Sequence, residues 1–96
     1  MKQSEARIKS ERASIYLQQL CKHFAHRLPV EFTPERGQIT FSVGTCRLAA
    51  NGDELTLSAE AADDAQLGQL QDVVARHLLR FAFRDPPTIT WTAQPA

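Results

Sequence analysis

Apolar positions along this chain switch between two periods, and the switches mark the elements. From Ser10 to about His26 the spacing is helical, with Ala13, Leu17, Leu20, Cys21, Phe24 and Leu28 on one stripe. Ser10 offers a side-chain oxygen to the first helical turn, and Glu11 suits the dipole there. Pro29 cannot continue the helix and pushes Leu28 towards an extended conformation. Upstream, Arg7 to Lys9 reads as a short strand with Ile8 pointing inward.

The next thirty or so positions alternate, as strands with one buried face do. Val30 and Phe32 alternate with Glu31 and Thr33, then "TPERG" supplies a turn in which Gly37 is free to take a positive φ. Ile39, Phe41 and Val43 form a second inward set, Cys46, Leu48 and Ala50 a third, and Leu55, Leu57 and Ala59 a fourth. A turn at Val43-Gly44 pairs Phe41 with Cys46, and one at Asn51-Gly52 pairs Leu48 with Leu55. Both pairings face inward, and a one-residue slip would expose them.

A second helix starts at "ADDAQ", with Asp63 as cap and Gln66 in the capping-box position. Its buried stripe is Leu67, Leu70, Val74, Leu78 and Phe81, and Asp85-Pro86-Pro87 ends it. Ile89 and Trp91 then alternate with Thr88, Thr90 and Thr92 in a final strand, leaving "AQPA" loose. The order is β-α-β-β-β-β-α-β. Two helices and a sheet, each apolar on one side, predict an α+β two-layer sandwich with both helices on one face of a mostly antiparallel sheet.

The other face of that sheet would carry Thr33, Thr40, Ser42, Thr45, Thr56, Ser58, Thr88, Thr90 and Thr92, with few charges between them. A solvated face is the commoner reading of such a pattern. The alternative is a surface for self-association, giving a homodimer.

Composition narrows the function classes. The 96 residues are enough for one domain, 1–96, and not for two. Eleven basic and eleven acidic residues cancel, so no electrostatic argument favours a nucleic-acid or membrane partner. No stretch is long enough to span a bilayer, and "MKQSEARIKSER" lacks the apolar core of a secretory signal. These features point to the cytoplasm, where Cys21 and Cys46 stay reduced.

Candidate chemistry is sparse. No P-loop, dinucleotide fingerprint, nucleophile elbow or paired-cysteine zinc spacing is present, so the sequence implies no cofactor and leans away from an enzyme. "LCKHFAHRLP" places Cys21, His23 and His26 within six positions, but a helical wheel separates Cys21 from the histidines. The cysteines read as small buried residues. His23 and His26 share a flank with Tyr16 and Gln19. They supply half a metal site, for which His77 is the remaining imidazole; a solvated helix face is the simpler account. In "RHLLRFAFRD", His77, Arg80 and Arg84 form a basic stripe suited to a carboxylate or phosphate. The competing account is pairing of the arginines with Asp85, Glu31 or Glu60.

The blocks "ASIYLQQLCKHFAHRLPVEF", "GQITFSVGTCRLAA" and "LQDVVARHLLRFAFRD", with a terminal "ITW", resemble the bacterial family called domain of unknown function 2218, from about Glu5 to Trp91. The resemblance implies that Cys21, His23, His26, the Asp63-Asp64 pair, His77, Arg80 and Arg84 match family positions. One departure is Asp85-Pro86-Pro87, where the family continues with an acidic residue and Leu. The resemblance also implies an association with siderophore-interacting reductases, a thin link to iron handling.

Two functions are therefore expected in competition. One is a non-catalytic binding or accessory module that self-associates. The other is an iron- or siderophore-utilisation module holding a metal or anionic chelate at Tyr16, Gln19, His23, His26, His77, Arg80 and Arg84 between the helices.

Overall fold

The structure, a computed structural model, describes residues 1–84 and 86–94. Eight elements follow in the expected order: β1 (Lys2–Lys9), α1 (Ala13–Ala25), β2 (Val30–Phe32), β3 (Arg36–Thr40), β4 (Gly44–Asn51), β5 (Glu54–Ala61), α2 (Asp64–Phe81) and β6 (Thr92–Gln94). The strands form one sheet in the order β2-β3-β4-β5-β1-β6, and all the pairings are antiparallel. Both helices lie on one face, α1 over β3 and β4 and α2 over β5, β4 and β1. This is the α+β sandwich that the two apolar periods require.

The core is the set of inward stripes. Leu17, Leu20 and Cys21 from α1 meet Ile39, Cys46, Leu55 and Leu57 from the sheet and Leu70, Val74 and Leu78 from α2, all fully buried. Burying each large aliphatic side chain contributes roughly 1.5–3 kcal/mol before the ordering cost of the chain is counted.

Several local features differ from the sequence reading. The first strand is eight residues long and lies inside the sheet, paired with both β5 and β6. Its inward residues are Ser4, Ala6 and Ile8, two of them small, so its alternation is faint in the sequence. Ser4 is buried but satisfied, because Gln71 Nε2 donates to its Oγ at 2.6 Å.

Ser10 does not cap α1. Its Oγ accepts from Arg12 N at 3.1 Å, closing a turn, and the helix starts three residues later with Arg12 as N-cap. Asp63 does cap α2, accepting from Gln66 N at 2.8 Å. The second helix stops at Phe81, before Asp85-Pro86-Pro87, and Asp85 lies outside the described residues. Residues 86–91 have no regular structure, so Ile89 and Trp91 reach the core from an irregular segment and not from a strand. The last strand is Thr92–Gln94, which takes in Ala93 and Gln94 of the tail; Pro95 and Ala96 lie outside the described residues.

Both hairpin registers are displaced by two. Cys46 pairs with Ile39 and Leu48 with Leu57, because the turns fall at Ser42-Val43 and Gly52-Asp53. A two-residue displacement keeps every side chain on its face, so the inward sets survive. Gly52 takes the positive φ of 64°. Gly37 does not take one. It lies within β3, where a Cβ would come 2.7 Å from Cys21 Sγ, so it serves close packing of α1 on the sheet. Phe32, expected inward, is 37% exposed on the short edge strand β2.

The outer sheet face is not the neutral surface that was expected. Thr33, Ser42, Thr88 and Thr90 lie outside the strands. Within the strands, the outward register places Glu5 and Arg7 beside Ser58 and Thr56, and Lys9 beside Glu54. Arg47 pairs across from both Gln38 and Ser58. Charged side chains therefore interrupt the face that was expected to be neutral.

Candidate ligand-binding groove

The last turns of α1 open a groove against α2. Phe24 O accepts from Arg27 N at 3.1 Å and from Leu28 N at 2.9 Å, which closes the helix and turns Leu28 inward. Facing it, α2 presents Val73 and His77 one turn apart. The third wall is Phe41, held at the hairpin by its N–H donating to Gly44 O at 2.7 Å. Together His23, Phe24, His26, Arg27, Leu28, Phe41, Val73 and His77 line a space of about 450 Å³, within the range of small-molecule sites.

The walls are rings in edge-on and tilted contact. Phe24 meets Phe41 edge-on at 5.0 Å between centroids and His77 at 4.9 Å. His23 lies 4.9 Å from His77, tilted by 40°, and 5.9 Å from Phe81. Contacts of this geometry hold aromatic groups in register without close hydrogen bonding.

The hydrogen-bond donors are partly fixed. His77 Nδ1 lies 2.7 Å from Val73 O. A carbonyl only accepts, so Nδ1 carries the proton and Nε2 holds the lone pair while the ring is neutral. His23 is held below its ordinary imidazole value, first by partial burial and then by the positive groups around it: His77, Arg80, His26 and Arg27. Among the described residues no carboxylate lines the groove.

The structure brings together part of the expected cluster. His23, His26 and His77 line one groove, and Arg80 stands close enough for its charge to act on His23. Tyr16 does not belong. It is buried near the start of α1, roughly 10 Å along the helix axis from His23. Gln19 is exposed and does not line the groove, and Arg84 lies beyond the end of α2 with its guanidinium 5.7 Å from the Phe83 ring. Among the described residues, the ion pairs are Arg7–Glu5, Lys9–Asp53 and Arg76–Asp72, so neither Arg80 nor Arg84 pairs with Glu31 or Glu60. Asp85, the other expected partner, lies outside those residues.

No group of three His, Cys, Asp or Glu side chains converges as a metal would require, among the described residues. The two cysteines are buried, and desolvation pushes Cys21 up to about 11 and Cys46 up to about 12. Thiols so raised are poor nucleophiles near neutral pH.

The sequence reading missed the apolar half of the groove. Phe24, Leu28 and Phe41 read as core stripe residues, yet they sit where the stripes of helix and hairpin run past each other. Arg27, just after the helix, fell between the expected elements. The usable signal was the placing of three aromatic or aliphatic stripe ends close to "KHFAHRL".

A family model described as an uncharacterized protein conserved in bacteria, DUF2218, matches residues 5–92. The chain is also similar to the NMR structure of PA4090 from Pseudomonas aeruginosa, with 40% identity, a TM-score of 0.81, and coverage of 100% of this chain and 98% of that one. No curated protein matches the chain. Among the described residues, no helix is long and apolar enough to cross a membrane.

Proposed function

We propose that this chain, which belongs to the uncharacterised bacterial family DUF2218, is a non-catalytic module that binds a small, largely apolar molecule in the groove between α1, α2 and Phe41. The observation that carries this reading is the groove itself: a mainly apolar lining of Phe24, Leu28, Phe41 and Val73, with an open mouth and a few histidine and arginine groups among them. Among the described residues lining the groove, nothing pairs a nucleophile with a base, and the raised thiols argue against cysteine chemistry.

A neutral probe tests it. Naphthalenemethanol added to the protein shifts the amide NMR signals of Phe24, Leu28, Phe41 and Val73 if the reading is right. Unchanged signals there, or shifts confined to the outer sheet face, contradict it.

A second reading places a metal or an anionic metal chelate on the same histidines, as siderophore-linked partners would require. The adjacency of His23 and His77 favours it. The surrounding Arg27 and Arg80 oppose a bare cation, so zinc alone is expected to leave the spectrum unchanged.

A further inference from the structure

The charged chemistry of the groove is one-sided in sign. His23 comes from α1, His26 and Arg27 from the turn that closes it, and His77 from α2, while Arg80, further along α2, acts on His23 through its charge without lining the space. All five are bases. The sheet side contributes Phe41, which carries no charge, and among the described residues no acid lines the space. Two imidazole rings 4.9 Å apart would repel each other if both were charged, and the arginines add to that repulsion. Within this groove, an anion that accepts from ring nitrogens of both histidines relieves the mutual repulsion of the bases.

We infer that the His23–His77 pair, with Arg27 and Arg80 beside it, is an anion clamp, and that the ligand is an apolar carboxylic acid whose flat or branched body lies against Phe24, Phe41 and Val73. This rests on the reading of the groove as a small-molecule site and adds the charge class of the ligand. A single carboxylate fits better than a phosphate, because the rest of the space is apolar and a second negative charge would cost more to desolvate. The carboxylate accepts from Arg27 or Arg80 and from a protonated His23 or His77. His77 is already fixed in orientation by its bond to Val73 O.

Binding of the acid therefore takes up a proton. His23 is neutral in the free protein near pH 7, since partial burial, and then the positive groups around it, hold it below its ordinary value. A carboxylate hydrogen-bonded to the ring nitrogens favours the imidazolium, so affinity rises as pH falls from about 7.5 to about 5.5, a range in which a simple carboxylic acid stays ionised.

Calorimetry with naphthalene-acetate and its neutral twin naphthalene-acetamide separates the two layers of the argument. The acid is expected to bind on the order of tenfold more tightly than the amide, a ratio set by one charge-assisted hydrogen bond. Its heat is expected to vary with the ionisation enthalpy of the buffer. The variants Arg27→Gln and His23→Gln, both at exposed positions, are expected to bring the acid-to-amide affinity ratio down towards one. Equal affinities for acid and amide overturn the clamp and leave the groove standing as a neutral site. Failure of both probes to bind overturns both. Acid binding that is unchanged in both variants, or that weakens as pH falls, overturns the clamp.

Discussion

Cys21 Sγ fills the space above Gly37 where a side chain would otherwise start, 2.7 Å from the position of a Cβ. The helix thereby lies close on the sheet, and the two positions are energetically linked. Gly37→Ala is expected to destabilise by about 1–3 kcal/mol through overpacking. Cys21→Ala is expected to cost about 1 kcal/mol through the lost sulfur contacts. The double variant should lose less than the sum, by about 1 kcal/mol, because the methyl added at position 37 fills the space that the sulfur leaves. Urea denaturation of the four proteins measures this. Simple additivity would show that the contact does not couple the helix to the sheet.

The two helix starts differ in how they are held, and stability should report the difference. Asp63 accepts from Gln66 N, while Ser10 bonds Arg12 N ahead of α1. Asp63→Ala is expected to cost about 1 kcal/mol, and Ser10→Ala less than half as much. Thermal or chemical unfolding of the two variants checks the ranking, and a larger loss at Ser10 would reverse it.

Both thiols should be inert in the folded protein. Their values, near 11 for Cys21 and 12 for Cys46, leave almost no thiolate at pH 8. A chromogenic disulfide reagent is expected to label two thiols at once in urea and neither in buffer over the same interval. Rapid native labelling of either would mean that it is accessible.

The charge state of His23 gives stability a pH dependence with a definite sign. Its folded value lies below the unfolded one of about 6.5. The unfolded chain then binds more protons in that window, so stability rises with pH there and is lost as pH falls from about 6.5 towards the folded value. Below the folded value this contribution is constant. Unfolding of His23→Gln across that window should show a flatter profile than the parent. A parent profile that rises on acidification through the same window would contradict the assignment.

The pattern of faces was legible because face depends on parity. Ile39, Cys46, Leu48, Leu55 and Leu57 stayed inward although both hairpins turn one residue away from the expected place. Exact pairing was not legible, since Asn51-Gly52 and Gly52-Asp53 are both acceptable turn pairs. The length of β1 was hidden because Ser4 and Ala6 are weak inward residues, made sufficient by Gln71 and the neighbouring strands. The site was half visible. His23, His26, His77 and Arg80 carried recognisable chemistry, whereas Tyr16 and Gln19 shared a flank with the histidines of α1, and Arg84 a stripe with His77, on paper but not a location. A wheel gives direction about an axis and ignores distance along it. Phe41 enters the groove from the sheet, a contact set by how the layers stack, which no local pattern encodes.

The most direct measurement of the central claim is the set of contacts between a bound naphthyl acid and the protein, read as intermolecular NMR cross-relaxation. The account predicts naphthyl contacts to the rings of Phe24 and Phe41 and to the methyls of Val73, with the carboxylate end nearest His23 and His77. Contacts to Gln3, Arg47 and Ser58 on the outer face, or none to the groove at saturating acid, would contradict it.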